Sequence, residues 1–100
     1  MTIVITGSAA DDIAEAYLFY DEQYPGLGDY FEASIIADLR SLVLYAGIHE
    51  VHFNAYYRKI ASRFPYVIYY TVEGDEIRIH AVADTRRDPA RIRKRFSDLT

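Results

Sequence analysis

Cysteine is absent from this 100-residue chain. That excludes disulfide staples, thiolate nucleophiles and cysteine-based zinc or iron–sulfur centres, and it suits a reducing cytoplasm. Nowhere do roughly 18 apolar residues run consecutively, and Met1–Thr6 carries no basic n-region, so neither membrane spanning nor secretion is expected. No H-E-x-x-H, no Walker-type glycine loop and no G-x-S-x-G elbow occurs, which leaves zinc peptidase, P-loop hydrolase and α/β-hydrolase readings without support. Histidine is scarce. His49 and His52 form H-x-x-H, but near a helix end or on a strand that spacing places the two rings on opposite faces, so no metal and no cofactor is expected. Positive charge is nearly missing from the first half, where Arg40 stands alone against nine carboxylates; residues 51–100 hold ten bases against six acids. Such polarity implies either two faces with different partners or two halves that attract each other.

What is present suffices for one domain. Hydrophobic residues make up 51% and charged residues 26%, a globular balance that argues against wholesale disorder. Thr2–Thr6 is rich in β-branched residues and stops at Gly7, so it reads as a strand. Ser8 with Asp11 resembles a capping box, and Ala9, Ile13, Ala16, Tyr17 and Tyr20 recur at helical spacing, predicting a helix from about Ala9 to Gln23. Pro25-Gly26-Leu27-Gly28 is a turn into a second, antiparallel helix starting at Asp29, with Phe31, Ile35, Leu39, Leu42 and Ala46 on one stripe and Gly47 as its stop. The pattern from Ile48 to Arg63 is mixed. Pro65–Val72 is plainly a strand, Glu73-Gly74-Asp75-Glu76 a hairpin turn, and Ile77–Ala83 a strand with Ile77, Ile79, Ala81 and Ala83 on one face and Arg78, His80 and Val82 on the other. Ala90–Phe96 forms a short basic helix with Asp88 as cap and Pro89 at its first position. A helix hairpin must bury its stripes, so the fold class is α+β with two layers: an N-terminal strand, then the hairpin packed on a mainly antiparallel sheet, then a short basic C-terminal segment.

Two features carry chemistry. Ten tyrosines are many for this length, and those around the central strands either fill half-buried strand positions or stand exposed beside arginines as anchors for a partner. The run from Asp84 to Arg95 holds six bases whose guanidinium forks match phosphates and carboxylates, although the overall charge of −4 argues against non-specific nucleic-acid binding. Helix-face acids such as Asp11, Glu15 and Asp38 read as solvated surface rather than as an acid–base pair.

Four strings, in order, carry a resemblance: Ala14-Glu15-Ala16-Tyr17-Leu18-Phe19-Tyr20; Pro25-Gly26-Leu27-Gly28-Asp29-Tyr30-Phe31; Arg63-Phe64-Pro65-Tyr66-Val67-Ile68-Tyr69-Tyr70; and Ala81-Val82 followed by Arg86-Arg87-Asp88-Pro89. Together they resemble the RelE/ParE toxin superfamily over most of the chain. The resemblance implies a growth-arresting, plasmid-stabilising toxin from a type II toxin–antitoxin pair, working in the cytoplasm and held in a hetero-oligomer by a cognate antitoxin. Tyr17, Tyr20, Phe31, Ile35 and Tyr69 are the antitoxin-binding candidates. RelE-like members cleave messenger RNA on the ribosome, whereas ParE-like members poison DNA gyrase. Nuclease branches tend to carry a base inside the strand matching Pro65–Val72 and a late His or Tyr; this chain has neither, so the ParE-like reading leads, without a catalytic site of its own. Its target-binding candidates are Arg86, Arg87, Arg91, Arg93, Lys94 and Arg95. The enzyme alternative is a metal-independent endoribonuclease using Arg63, His80, Arg86 and Arg87, and a third reading is a non-toxic interaction module.

Overall fold

A computed structural model of the chain describes residues 1–53 and 55–97. The extended run Thr2–Ile5 is strand β1, and the chain turns at once into helix α1, Gly7–Gln23. Thr6 caps α1, two residues before the expected Ser8. Its hydroxyl accepts the Ala9 N–H at 3.3 Å and donates to the Ile79 carbonyl at 2.8 Å, so one side chain both starts the helix and ties it to the sheet.

Helix α2 spans Leu27–Tyr45 and likewise starts two residues before the expected Asp29. Asp21, reaching over from α1, takes the backbone N–H groups of Gly26 and Gly28 and so caps the second helix from outside it. Two glycines make this close turn possible. Gly26 sits at φ +92°, and a Cβ on Gly28 would lie 2.7 Å from the Tyr17 carbonyl oxygen. Gly47, at φ +91°, follows the end of α2 as the sequence predicts. Its N–H donates to the Tyr70 hydroxyl at 3.0 Å, and His49 Nδ1 lies 2.5 Å from the same oxygen.

The mixed stretch after Gly47 resolves into strands β2, Glu50–His52, and β3, Tyr56–Ile60; β4, Tyr66–Glu73, and β5, Glu76–Asp84, follow. The sheet order is β1-β5-β4-β3-β2, with β1 parallel to β5 and every other pairing antiparallel. The two helices cover one face, where Ile13, Tyr20, Phe31, Ile35, Leu39 and Leu42 pack on Ile68, Tyr70, Ile77, Ile79 and Val82. The α+β hairpin-on-sheet architecture is therefore present as expected.

One strand departs from simple alternation. Tyr69 pairs with Ala81 while Tyr70 pairs with Ile79, so His80 is an extra residue on β5, a β-bulge. The expected facing of Ile77, Ile79, Ala81 and Ala83 breaks there. Ile77, Ile79 and Val82 face the helices, whereas Ala81 joins Val67, Tyr69 and Phe96 in a second cluster on the far side, against which Ala83 packs. Helix α3, Pro89–Ser97, covers that second cluster. Asp88 accepts the Ala90 N–H as its cap, and Phe96, 2% exposed, stacks on Tyr56 with ring centroids 4.2 Å apart. The basic segment is thus a docked helix rather than a solvated tail.

Candidate functional site

The β1 register stops at Ile5 opposite Ile79, which leaves the second half of β5 without a neighbouring strand. A groove of about 620 Å³ opens beside it, between α1 and the segment running from β5 into α3. Asp12, Glu15 and Phe19 project from α1; Tyr66, Val67 and Tyr69 of β4 and Val82 and Ala83 of β5 form an apolar floor; Arg58 comes from β3; Asp84–Pro89, Arg91, Ile92 and Arg95 close the other wall. The helical period puts Asp12, Glu15 and Phe19 on the flank of α1 next to its buried stripe, so the same amphipathic pattern that seats the helix also dresses the groove.

Charges in the groove are largely matched within the chain. Arg86 makes a two-pronged contact with Asp84, Nε to Oδ1 at 3.0 Å and Nη2 to Oδ2 at 2.9 Å; it also donates to the Tyr20 hydroxyl at 3.2 Å and lies 5.9 Å from the Phe19 ring. Burial alone would raise the Asp84 carboxyl, but the Arg86 hydrogen bonds and charge outweigh it and hold the group below the usual carboxylate range. Arg87 pairs with Glu15 at 3.1 Å. Arg95 reaches both oxygens of Asp12, at 3.0 and 2.9 Å, and donates to the His80 carbonyl at 2.6 Å, while Asp12 also accepts the Val82 N–H at 2.9 Å. The Asp12–Arg95 pair thus takes two backbone groups in the free half of β5, the Val82 N–H and the His80 carbonyl.

Of the six target-binding candidates, then, Arg86, Arg87 and Arg95 are engaged internally. Arg91, Arg93 and Lys94 are exposed on α3 and, among the described residues, make no ion pair. The nuclease set is not gathered at one place. Arg86 and Arg87 line the groove, but Arg63 donates to the Tyr30 hydroxyl at the helix hairpin. His80 lies on the α3 side of the sheet, 2.8 Å from Thr71 Oγ1 and edge-on to Tyr56. Burial lowers the His80 pKa, helped by Arg78 and Arg95 and opposed by Glu73.

Three of the five antitoxin candidates are withdrawn by burial: Tyr20, Phe31 and Ile35 are at most 7% exposed, because the helix stripe and the sheet pack on each other, whereas Tyr69, 4% exposed, lies in the floor of the groove. Tyr17 remains accessible; its hydroxyl donates to Asp29 Oδ1 at 2.8 Å, and this bond, chiefly, pushes its pKa up to about 12. The exposed apolar residues near α1 are instead Leu18, Phe19, Tyr24 and Tyr30. Arg58, Asp12, Glu15 and Phe19 are groove residues that sequence reasoning missed; nothing local distinguishes them, since each acquires its role from elements distant in the chain. No set of three His, Asp or Glu side chains placed to hold a metal occurs among the described residues, and none of their helices is long and apolar enough to cross a membrane.

A search of curated proteins gives no match. Among solved structures, a chain of the chromosomal ParDE TA system from P. aeruginosa superposes with a TM-score of 0.76 at 22% identity, covering 84% of this chain and 95% of that one. The family model described as the ParE toxin of the type II toxin–antitoxin system parDE matches residues 3–89. That span includes the helix hairpin, all of the sheet but Thr2, and the wall of the groove through Pro89, and the chain accordingly belongs to the ParE toxin family of type II toxin–antitoxin systems.

Proposed function

We propose that this toxin acts by binding, with DNA gyrase as its target and the exposed basic face of α3 as the contact, and that a cognate antitoxin neutralises it from the groove beside β5. One observation carries the reading. Arg86, Arg87 and Arg95 of the groove are held by Asp84, Glu15 and Asp12, and the His80 ring is bound to Thr71 and does not line the groove, whereas Arg91, Arg93 and Lys94 make no ion pair among the described residues. Cleavage through a 2′-hydroxyl needs a base, an acid and a cation converging on one phosphate. A binding poison needs only an accessible complementary surface.

The groove suits an antitoxin segment because its floor is apolar while its rim carries both signs of charge, the composition of an interface that seats a folding-on-binding peptide. The deciding experiment is gyrase supercoiling and cleavage with purified chain and with an Arg91→Gln/Arg93→Gln/Lys94→Gln variant. Inhibition with trapped double-strand breaks, reduced about tenfold or more in the variant, supports the reading. An inert wild-type chain, or a variant that inhibits equally well, overturns it.

A further inference from the structure

The sheet treats two of its exposed edges differently. At the free half of β5, Asp12 takes the Val82 N–H and Arg95 the His80 carbonyl, so side chains already occupy part of that edge. At β2, among the described residues, no side chain hydrogen-bonds to the backbone in this way. The edge also has an apolar shoulder. Leu44 and Ile48 are 79% and 72% exposed, and Tyr45 and Val51 stand out beside them. Such an edge is a template for another strand.

The sequence of β2 selects what that strand is. Glu50 and His52 share one face of the strand, with Glu50 Oε1 3.4 Å from His52 Nε2; Val51 faces the other way, as does its register partner Tyr57, which packs on the helix-side core. We propose that β2 is the interface of a symmetric homodimer, in which two copies pair antiparallel about a two-fold axis at Val51 and join their sheets into one. In that register each Glu50 lies directly opposite His52 of the second copy, twice over, and the two Val51 side chains meet on the side of the apolar shoulder. The three-residue strand is charge-complementary to itself, which is what an isologous contact demands. Each Glu50 would then sit between Arg58, its neighbour on β3, and the imidazole across the axis. This inference is independent of the gyrase reading.

Sedimentation equilibrium of the full chain tests it. The wild type is expected to dimerise with a dissociation constant of about 10–100 µM, since a short edge with an apolar shoulder is at the small end of specific interfaces. His52→Glu sets carboxylates against each other across the axis, and Glu50→Lys/His52→Lys does the same with cations. Each variant alone is expected to associate about tenfold more weakly or not at all, while a one-to-one mixture forms heterodimers at least as tight as the wild-type dimer. Rescue by mixing reports only contacts between chains, so any change in the stability of a single variant does not imitate it; circular dichroism confirms that each is folded. A wild type monomeric up to about 1 mM, where association is worth no more than about 4 kcal/mol, overturns the proposal, and so do dimers indifferent to the charge changes or variants whose mixture does not associate.

Discussion

Asp12 and Arg95 are 83 residues apart in sequence, and each side chain is roughly three-quarters or more withdrawn from water. Asp12→Ala strands a half-buried guanidinium and removes the acceptor of the Val82 N–H, so it is expected to cost about 2–3 kcal/mol, against the 0–1 kcal/mol of an exposed pair. Urea denaturation at neutral pH checks this; a loss under about 0.5 kcal/mol would class the pair with screened surface contacts. The histidines give a pH signature of defined sign. His80 and His49 both have folded pKa values lowered from 6.5, in each case chiefly by burial, with Lys59 adding to the effect at His49. The unfolded chain then binds more protons, so stability is complete above about pH 6.5 and falls as the pH drops through 6.5 toward the lowered values. Unfolding midpoints measured between pH 8 and pH 5 are expected to decline, and His80→Asn to flatten part of that decline. A flat wild-type profile would contradict the burial argument.

At the scale of elements, helices and turns follow from local chemistry, whereas their contacts do not. Gly28→Ala would drive a methyl against the Tyr17 carbonyl oxygen at 2.7 Å and Asp21 Cβ at 2.9 Å, forcing α1 and α2 apart at a cost of about 2 kcal/mol. Gly26→Ala meets open space and bears only the left-handed backbone penalty, about 1 kcal/mol. Comparing the two thermal melts separates packing from conformational strain, and equal losses would refute the close-approach reading. Helix α3 has nine residues, too few to persist undocked, and Phe96 is its buried anchor. Phe96→Ala is expected to cost about 3 kcal/mol and to strip hydrogen-exchange protection from the α3 amides before those of β4. The sequence pattern showed this helix, its Asp88 cap and its Pro89 start. It did not show that the helix docks, because the apolar cluster that receives it is assembled from β3, β4 and β5. Nor did it show the bulge at His80, since strict alternation is the only facing a strand sequence can propose.

Taken as a whole molecule, the charge asymmetry is in part an attraction between the two halves of the chain. Acids of α1 hold bases that follow β5, as Glu15 holds Arg87 and Asp12 holds Arg95, while Arg91, Arg93 and Lys94 stay outside these pairs. Neutralising the last three is expected to leave the melting temperature within a few degrees, because exposed charges contribute little. Adding Arg95→Gln to that triple variant is expected to lower it by roughly 10 °C, as the loss of about 2 kcal/mol in a domain of this size implies. A scanning calorimetry series distinguishes the two, and an unchanged melt on adding Arg95→Gln would return Arg95 to the surface set. The candidate site was legible in part: its basic wall stands in the run from Arg86 to Arg95, but Arg58, Phe19 and the Asp12–Arg95 tie became neighbours only through folding.

By itself the sequence determined whatever depends on nearby residues. The two helical periods, the glycine turn between them, the hairpin at Gly74 and the capped basic helix all rest on interactions a few residues long, and the order of these elements carried the family resemblance. Tertiary structure alone decided which charges are satisfied within the chain, which aromatic residues are core, and which backbone groups of the free β5 edge are taken by side chains. Those outcomes turn on contacts between segments tens of residues apart, whose free energies depend on burial and geometry that no local pattern contains.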